Sequence, residues 1–262
     1  MKLFQAYKYL LFLIQARNRK GHGVHSPFVF NLISNHLLDN TPYYCFEKIE
    51  LLRRNLEESN KVLKVKDLGA GSVKMKKPER KVSEIAKNSG SPAKYGETLF
   101  KLTNITKPKT ILELGTSLGL GTAYMASYSK FVKVISIEGC PETANIAKSN
   151  LMSLGLTNVE IMTGDFSKNL PNAIEKLHSL DFVFFDGNHR KKASLEYFNF
   201  CLNFAGENSV FVFDDIYWSK EMCKAWKEIK KNEKVSCTID LFRMGIVFFR
   251  KDLPKQNIKL LI

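Results

Sequence analysis

From residue 96 onward the chain alternates short apolar runs with longer amphipathic stretches. Runs at residues 110–114, 133–137, 159–162, 182–185 and 209–213 have strand length and are rich in Val, Ile and Phe. The stretches between them, at 122–129, 142–154, 169–177 and 193–204, space their apolar residues as helices do. Further helices are expected at 96–104 and 220–230. Strict alternation of strand and helix predicts a parallel sheet covered on both faces. The last two runs, 235–242 and 245–250, lie too close together for a crossover helix, so they must pair antiparallel. The expected class is α/β: a Rossmann-like, doubly wound, seven-stranded and mostly parallel sheet with an antiparallel C-terminal hairpin.

Residues 1–60 read as mainly helical. Leu3, Tyr7, Leu10, Leu11 and Ile14 fall at helical spacing and predict an amphipathic first helix. A break at residues 20–27 contains His22 and His25, whose readings are a pocket lining or a turn, and Ser26-Pro27 marks a helix start. An apolar helix over 28–38 and a charged helix through about residue 58 follow. Residues 67–95 read as a long basic loop with one short helix. The loop holds a glycine turn, Asp67-Leu68-Gly69-Ala70-Gly71-Ser72, but its flanks make a poor buried strand and a poor helix. It is either a lid over a pocket or a surface connection. The expected division is an N-terminal helical extension with its basic loop, 1–90, and a nucleotide-type domain, 91–262.

Charge adds to this division. The chain of 262 residues carries a formal net charge of +14, and residues 1–110 hold 21 Lys and Arg against 9 Asp and Glu. Such an excess suits RNA, an acidic substrate or an anionic membrane, or is a solvated lysine-rich surface. The apolar run at 9–14 is too short to span a bilayer, which leaves peripheral contact as the membrane alternative. Five scattered cysteines without a CxxC pair suggest neither a zinc site nor a disulfide framework, and point to a reducing cytoplasm. The sequence leaves the oligomeric state open, with a homodimer compatible.

The chemistry concentrates at the ends of the strands. Glu113 closes the first, and a turn containing Gly115, Thr116, Ser117, Gly119 and Gly121 follows at once. Strand, glycine turn and helix together build a nucleotide-sized pocket. Four more acids end later strands: Glu138, Asp165, Asp186 and Asp214, the last followed by Asp215. Ligands of open parallel sheets lie beyond these ends. Glu138, at the end of the second strand, stands where a ribose-binding acid belongs. The glycine spacing departs from G-x-G-x-x-G, and Glu113 beside the turn would repel a pyrophosphate but suit a cationic amine. S-adenosylmethionine (SAM) has an amine and a sulfonium and no phosphate.

Residues from about 91 to 250 resemble a class I SAM-dependent methyltransferase, most closely the catechol and caffeoyl-CoA type O-methyltransferases and their bacterial relatives. The resemblance rests on Tyr95-Gly96-Glu97-Thr98-Leu99, Glu113-Leu114-Gly115-Thr116, Ile137-Glu138, Gly164-Asp165-Phe166, Phe185-Asp186-Gly187-Asn188-His189 and Phe213-Asp214-Asp215. Residues 21–28 resemble the N-terminal part of uncharacterised bacterial methyltransferases. The resemblance implies that Glu113 and the turn from Gly115 to Gly121 hold the methionine end of SAM. It implies that Glu138 takes the ribose hydroxyls, and that Asp165 with Phe166 flanks the adenine. In the metal-dependent branch an acid and an Asp-Asn pair bind a divalent cation. This places Mg²⁺ on Asp186, Asp214 and Asp215, with Asp where Asn is usual. The alternative is that Asp186 contacts SAM while Asp214 and Asp215 cap the helix near residue 220. His189 occupies the position of that branch's lysine base; it is the base or a loop residue.

The leading expectation is a SAM-dependent methyltransferase (EC 2.1.1.-) acting on an oxygen of a small-molecule acceptor by direct displacement. The alternatives are an RNA methyltransferase using the basic N-terminal region and a non-catalytic SAM-binding interaction protein. The chain has neither the Asp-Pro-Pro-Tyr type segment of exocyclic-nitrogen methylation nor a cysteine motif for C5 methylation.

Overall fold

The computed structural model describes residues 2–16, 24, 26–65, 78–89 and 92–261. His22, His25 and the 67–72 glycine turn lie outside the described residues. In chain order the elements are α1 (Lys2–Gln15), α2 (Pro27–Asn31), a π-helical turn (Leu32–Leu37) and α3 (Tyr44–Glu58). Then come β1 (Val62–Lys64), β2 (Glu79–Lys81), α4 (Val82–Ser89), α5 (Ala93–Thr106), β3 (Thr110–Leu114) and α6 (Leu120–Ala126). They continue with β4 (Lys133–Glu138), α7 (Pro141–Ser153), β5 (Val159–Thr163), α8 (Phe166–Leu177) and β6 (Leu180–Phe185). The last are α9 (Lys191–Leu202), β7 (Ala205–Phe213), α10 (Lys220–Lys231), β8 (Cys237–Asp240), β9 (Gly245–Phe248) and β10 (Gln256–Lys259).

The chain forms two compact units, residues 41–178 and residues 1–40 with 179–262. This division does not fall at residue 90. In the first unit β3, β4 and β5 run parallel, with Leu112 beside Ile135 and Ile135 beside Glu160. All five residues of β3 are buried, which is why its sequence is an unbroken apolar run apart from Thr110 and Glu113. Phe46, Ile49, Phe100, Tyr124 and Leu151 belong to one buried cluster that packs α3, α5, α6 and α7 together. Gly96 allows the closest of these approaches, since a Cβ there would sit 2.4 Å from the Tyr124 ring. β1 and β2 pair antiparallel as a small separate ribbon. The 62–64 segment, expected to be a poor buried strand, is a strand with only Leu63 buried.

In the second unit β6 and β7 are parallel, and β7–β9 and β9–β8 are antiparallel. The expected hairpin therefore forms, with Ile239 opposite Ile246. A strand the sequence reading lacked, β10, lies parallel to β8, with Ile258 beside Ile239. The core of this unit is aromatic: Phe185 stacks flat on Phe213 at 4.3 Å, and Trp226 approaches Phe213 at 6.2 Å. Ser26 caps α2 by accepting from the Val29 amide, and Pro27 sits inside its first turn, as the Ser-Pro signal indicates.

The first helix corrects an expectation. Leu3, Tyr7, Leu10 and Ile14 are 88%, 59%, 60% and 69% exposed, whereas Phe12 is buried. Gln5, Lys8 and Gln15 share the side of the helix that holds Phe12, and the apolar side opposite is the exposed one. Packing against Phe242, which touches both Tyr9 and Phe12, makes the selection. Among the described residues no helix is long and apolar enough to cross a membrane.

Candidate functional site

In the unit of residues 41–178, the turn after β3 is held by two glutamates. Glu113 is 1% exposed. Its Oε2 accepts from the hydroxyl of Thr122 and from Ser136 Oγ at 2.5 Å. Ser136 spends its one proton on this bond, so its oxygen accepts from Thr116 Oγ1, 2.5 Å away. Thr116, Ser136, Glu113 and Thr122 thus form one chain that ties the turn to β4 and to the first residues of α6. Burial pushes the Glu113 carboxyl up to about 7; the Ser136 and Thr122 hydroxyls oppose the rise and Glu138 adds to it.

Glu138 lies at the end of β4. Its Oε2 accepts the Ser117 amide at 2.8 Å and its Oε1 the Cys140 amide at 2.9 Å. The turn needs its glycines where φ is positive: Gly115 at +108° and Gly119 at +84°. At Gly119 a Cβ would also press on Ala147 of α7 at 3.4 Å. Ser117 takes φ +50° without being glycine.

Asp165 stands directly before α8 and caps it. Its Oδ1 accepts the Ser167 amide at 2.9 Å, the Lys168 amide at 3.3 Å and the Ser167 hydroxyl. The Ser167 hydroxyl and the two helix amides hold the carboxyl below the ordinary aspartate value against some burial. Phe166 begins the helix and is half-buried.

In the unit of residues 1–40 and 179–262, the ends of β6 and β7 bring Asp186, His189, Asp214 and Asp215 together. His189 Nε2 lies 3.8 Å from Asp186 Oδ1. Burial lowers the His189 pKa, Asp214 resists, and Arg243 adds to the lowering, so the imidazole is neutral near pH 7. Asn188, at φ +53°, donates to Tyr197 Oη at 3.3 Å, while its own Oδ1 is buried without a hydrogen-bond partner.

Arg243 is the residue that sequence reasoning missed. It lies between β8 and β9, and its Nε and Nη2 reach the two oxygens of Asp214, both at 3.3 Å. Its Nε also stands 3.6 Å from Asp215 Oδ1. Burial alone would lower its pKa, but Asp214 and Asp215 outweigh burial and hold the guanidinium charged. The signal was available in the hairpin: β7 pairs with β9 so that Phe213 faces Gly245, which carries the residues just before 245 past the end of β7.

Asp214 and Asp215, expected as metal ligands, are paired with Arg243 in this structure. Among the described residues no three His, Cys, Asp or Glu side chains converge as metal ligands. Asp214 is 1% exposed and its charge is answered by a fork-shaped cation. The cap of α10 is Ser219, which accepts the Met222 amide.

Residues 112–216 match the model of a methyltransferase domain family. The chain is 33% identical over 124 residues to the catechol O-methyltransferase of Niastella koreensis, covering 46% of this chain and 55% of that protein. It is 36% identical over 101 residues to protein-L-isoaspartate O-methyltransferase 2 of Archaeoglobus fulgidus, covering 35% and 46%. The chain thus spans about half the length of these curated relatives. Among solved structures it is similar to the O-methyltransferase TomG of Streptomyces achromogenes, in complex with SAM and involved in tomaymycin synthesis. The TM-score is 0.57 at 16% identity, over 81% of this chain and 92% of that one. By sequence across residues 112–216 and by fold across most of its length, the chain resembles the SAM-dependent O-methyltransferases.

Proposed function

We propose that the protein is a SAM-dependent methyltransferase that methylates an oxygen of a small-molecule acceptor. The observation that carries this reading is the pair of carboxylates at the β3 turn. Glu113 lies under it, and Glu138 accepts the Ser117 and Cys140 amides. A phosphate would meet repulsion there, whereas an ammonium group and ribose hydroxyls would meet acceptors.

These residues fit SAM. Glu138 would take the ribose hydroxyls, and Glu113 with residues 115–121 would hold the methionine end. Asp165 and Phe166 would border the adenine, with Asp165 Oδ1 already committed to the helix cap. When bound, SAM supplies an electrophilic methyl on its sulfonium. The chain's own residues handle the proton. Neutral His189 takes it from the acceptor hydroxyl, and the imidazolium is then balanced by Asp186. Asn188 Oδ1 is free to accept from a second hydroxyl of the acceptor. Resemblance to a catechol O-methyltransferase supports an aromatic hydroxyl as that acceptor. Arg243 supplies positive charge at Asp214 and Asp215.

Calorimetric titration of S-adenosylhomocysteine (SAH) tests the cofactor assignment. Micromolar binding is expected, weakened roughly tenfold or more in Glu138→Ala. His189→Ala should keep that affinity and lose about 10²-fold or more of methyl transfer to phenols. Absence of SAH binding would overturn the reading.

A further inference from the structure

A cavity of ≈ 260 Å³ is built from α1, α10 and β10, and the methyl-transfer reading does not use it. Phe12 and Trp226, 1% and 2% exposed, form its apolar wall. Lys8 of α1, Lys227 and Lys230 of α10, and Lys259 of β10 line it too. Lys227 and Lys230 share one face of their helix, three residues apart. Lys230 Nζ lies 5.7 Å from the centre of the Trp226 ring, and Lys259 Nζ lies 5.9 Å from that of Phe12.

Among the described residues, the ion pairs of this unit engage His189, Lys191, Lys192, Arg243, Arg250 and Lys251, and none of these four lysines. Lys259 donates to the neutral Gln15 Oε1 at 2.6 Å. Asp240 is the carboxylate that acts on Lys230, but it is already held by Tyr217 Oη at 2.7 Å and by the Phe242 amide at 2.9 Å. Burial lowers the Lys230 pKa, Asp240 resists, and Lys259 and Lys227 add to the lowering. Like charges gathered over an apolar floor are costly unless something negative joins them.

We propose that this cavity binds a small organic oxyanion, its phosphate, sulfate or carboxylate held by Lys8, Lys227, Lys230 and Lys259.

The test uses the full chain and 1-naphthyl phosphate as probe. The sequence has two tryptophans, Trp218 and Trp226, so Trp218→Phe leaves Trp226 as the sole reporter at the cavity wall. Saturable quenching of Trp226 fluorescence is expected with 1-naphthyl phosphate. The neutral 1-naphthalenemethanol should bind at least tenfold more weakly, and inorganic phosphate should compete with the probe. Lys230→Gln and Lys259→Gln should each weaken the probe roughly tenfold, with SAH affinity unchanged, and Lys234→Gln outside the cavity should have no effect. Equal binding of charged and neutral probes would overturn the proposal, as would undiminished binding in the Lys230→Gln/Lys259→Gln double variant. Vesicles of phosphatidylcholine with phosphatidylglycerol form a separate arm. Quenching by anionic vesicles without any by the free probe would reassign the lysines to a lipid headgroup and overturn the small-molecule assignment.

Discussion

Glu113 shows how one buried acid can couple folding to pH. Its carboxyl titrates at about 7 in the folded chain, against about 4.5 ordinarily, because burial disfavours the charge. A folded pKa raised above the unfolded one adds stability below about pH 4.5, and that stability is lost as pH rises through about 7. The ligand-free protein should therefore lose on the order of 2 kcal/mol between pH 5 and pH 8 from this group alone. Urea unfolding of wild type and Glu113→Gln at both pH values measures it as the difference between the two proteins. An equal pH response in both would show that Glu113 does not titrate in this window. Sequence alone marked Glu113 as a strand-end acid beside a glycine turn. It could not place Thr122 and Ser136 on the carboxylate, because Ser136 comes from the neighbouring strand and only the β3–β4 register sets it opposite Glu113.

At the scale of elements, the turn after β3 was the most legible feature of the chain. Its glycines, its following helix and the acid before it follow from local chemistry, and β3 occupies the residues expected of it. Gly119→Ala should cost about 1 to 2 kcal/mol, since a side chain at φ +84° is strained and its Cβ would crowd Ala147. Chemical denaturation of that variant checks the value, and Gly206→Ala, where φ is ordinary and the nearest atom is 3.9 Å away, is the control. Other elements were less legible. Which face of α1 turns inward was not legible, because packing on Phe242 buries Phe12 and leaves the apolar stripe of Leu3, Tyr7, Leu10 and Ile14 outside. β10 was absent from the reading, because Gln256–Lys259 is short and half polar and becomes a strand only by pairing with β8.

At the scale of the whole molecule, the pairing of residues far apart in sequence decides the chemistry of the strand-end acids. The β8–β9 hairpin returns to β7 and delivers Arg243 to Asp214, 29 residues away. Arg243→Ala would leave a buried carboxylate unpaired and should destabilise the fold by about 3 kcal/mol, with Arg243→Ala/Asp214→Ala recovering much of the loss. Thermal unfolding of the set measures this. EDTA should change neither SAH affinity nor methyl transfer, and a divalent-cation requirement would show that Arg243 does not stand in for a metal. By itself the sequence determined the α/β class, the strand-end acids and the cofactor-type turn, since these are set by local periodicity and by glycine and carboxylate chemistry. Tertiary structure alone decided that Asp214 and Asp215 meet a guanidinium, that burial lowers the His189 pKa, and that four lysines from three elements share one cavity. Charge balance and burial depend on what packs against a side chain, and no spacing along the chain encodes that.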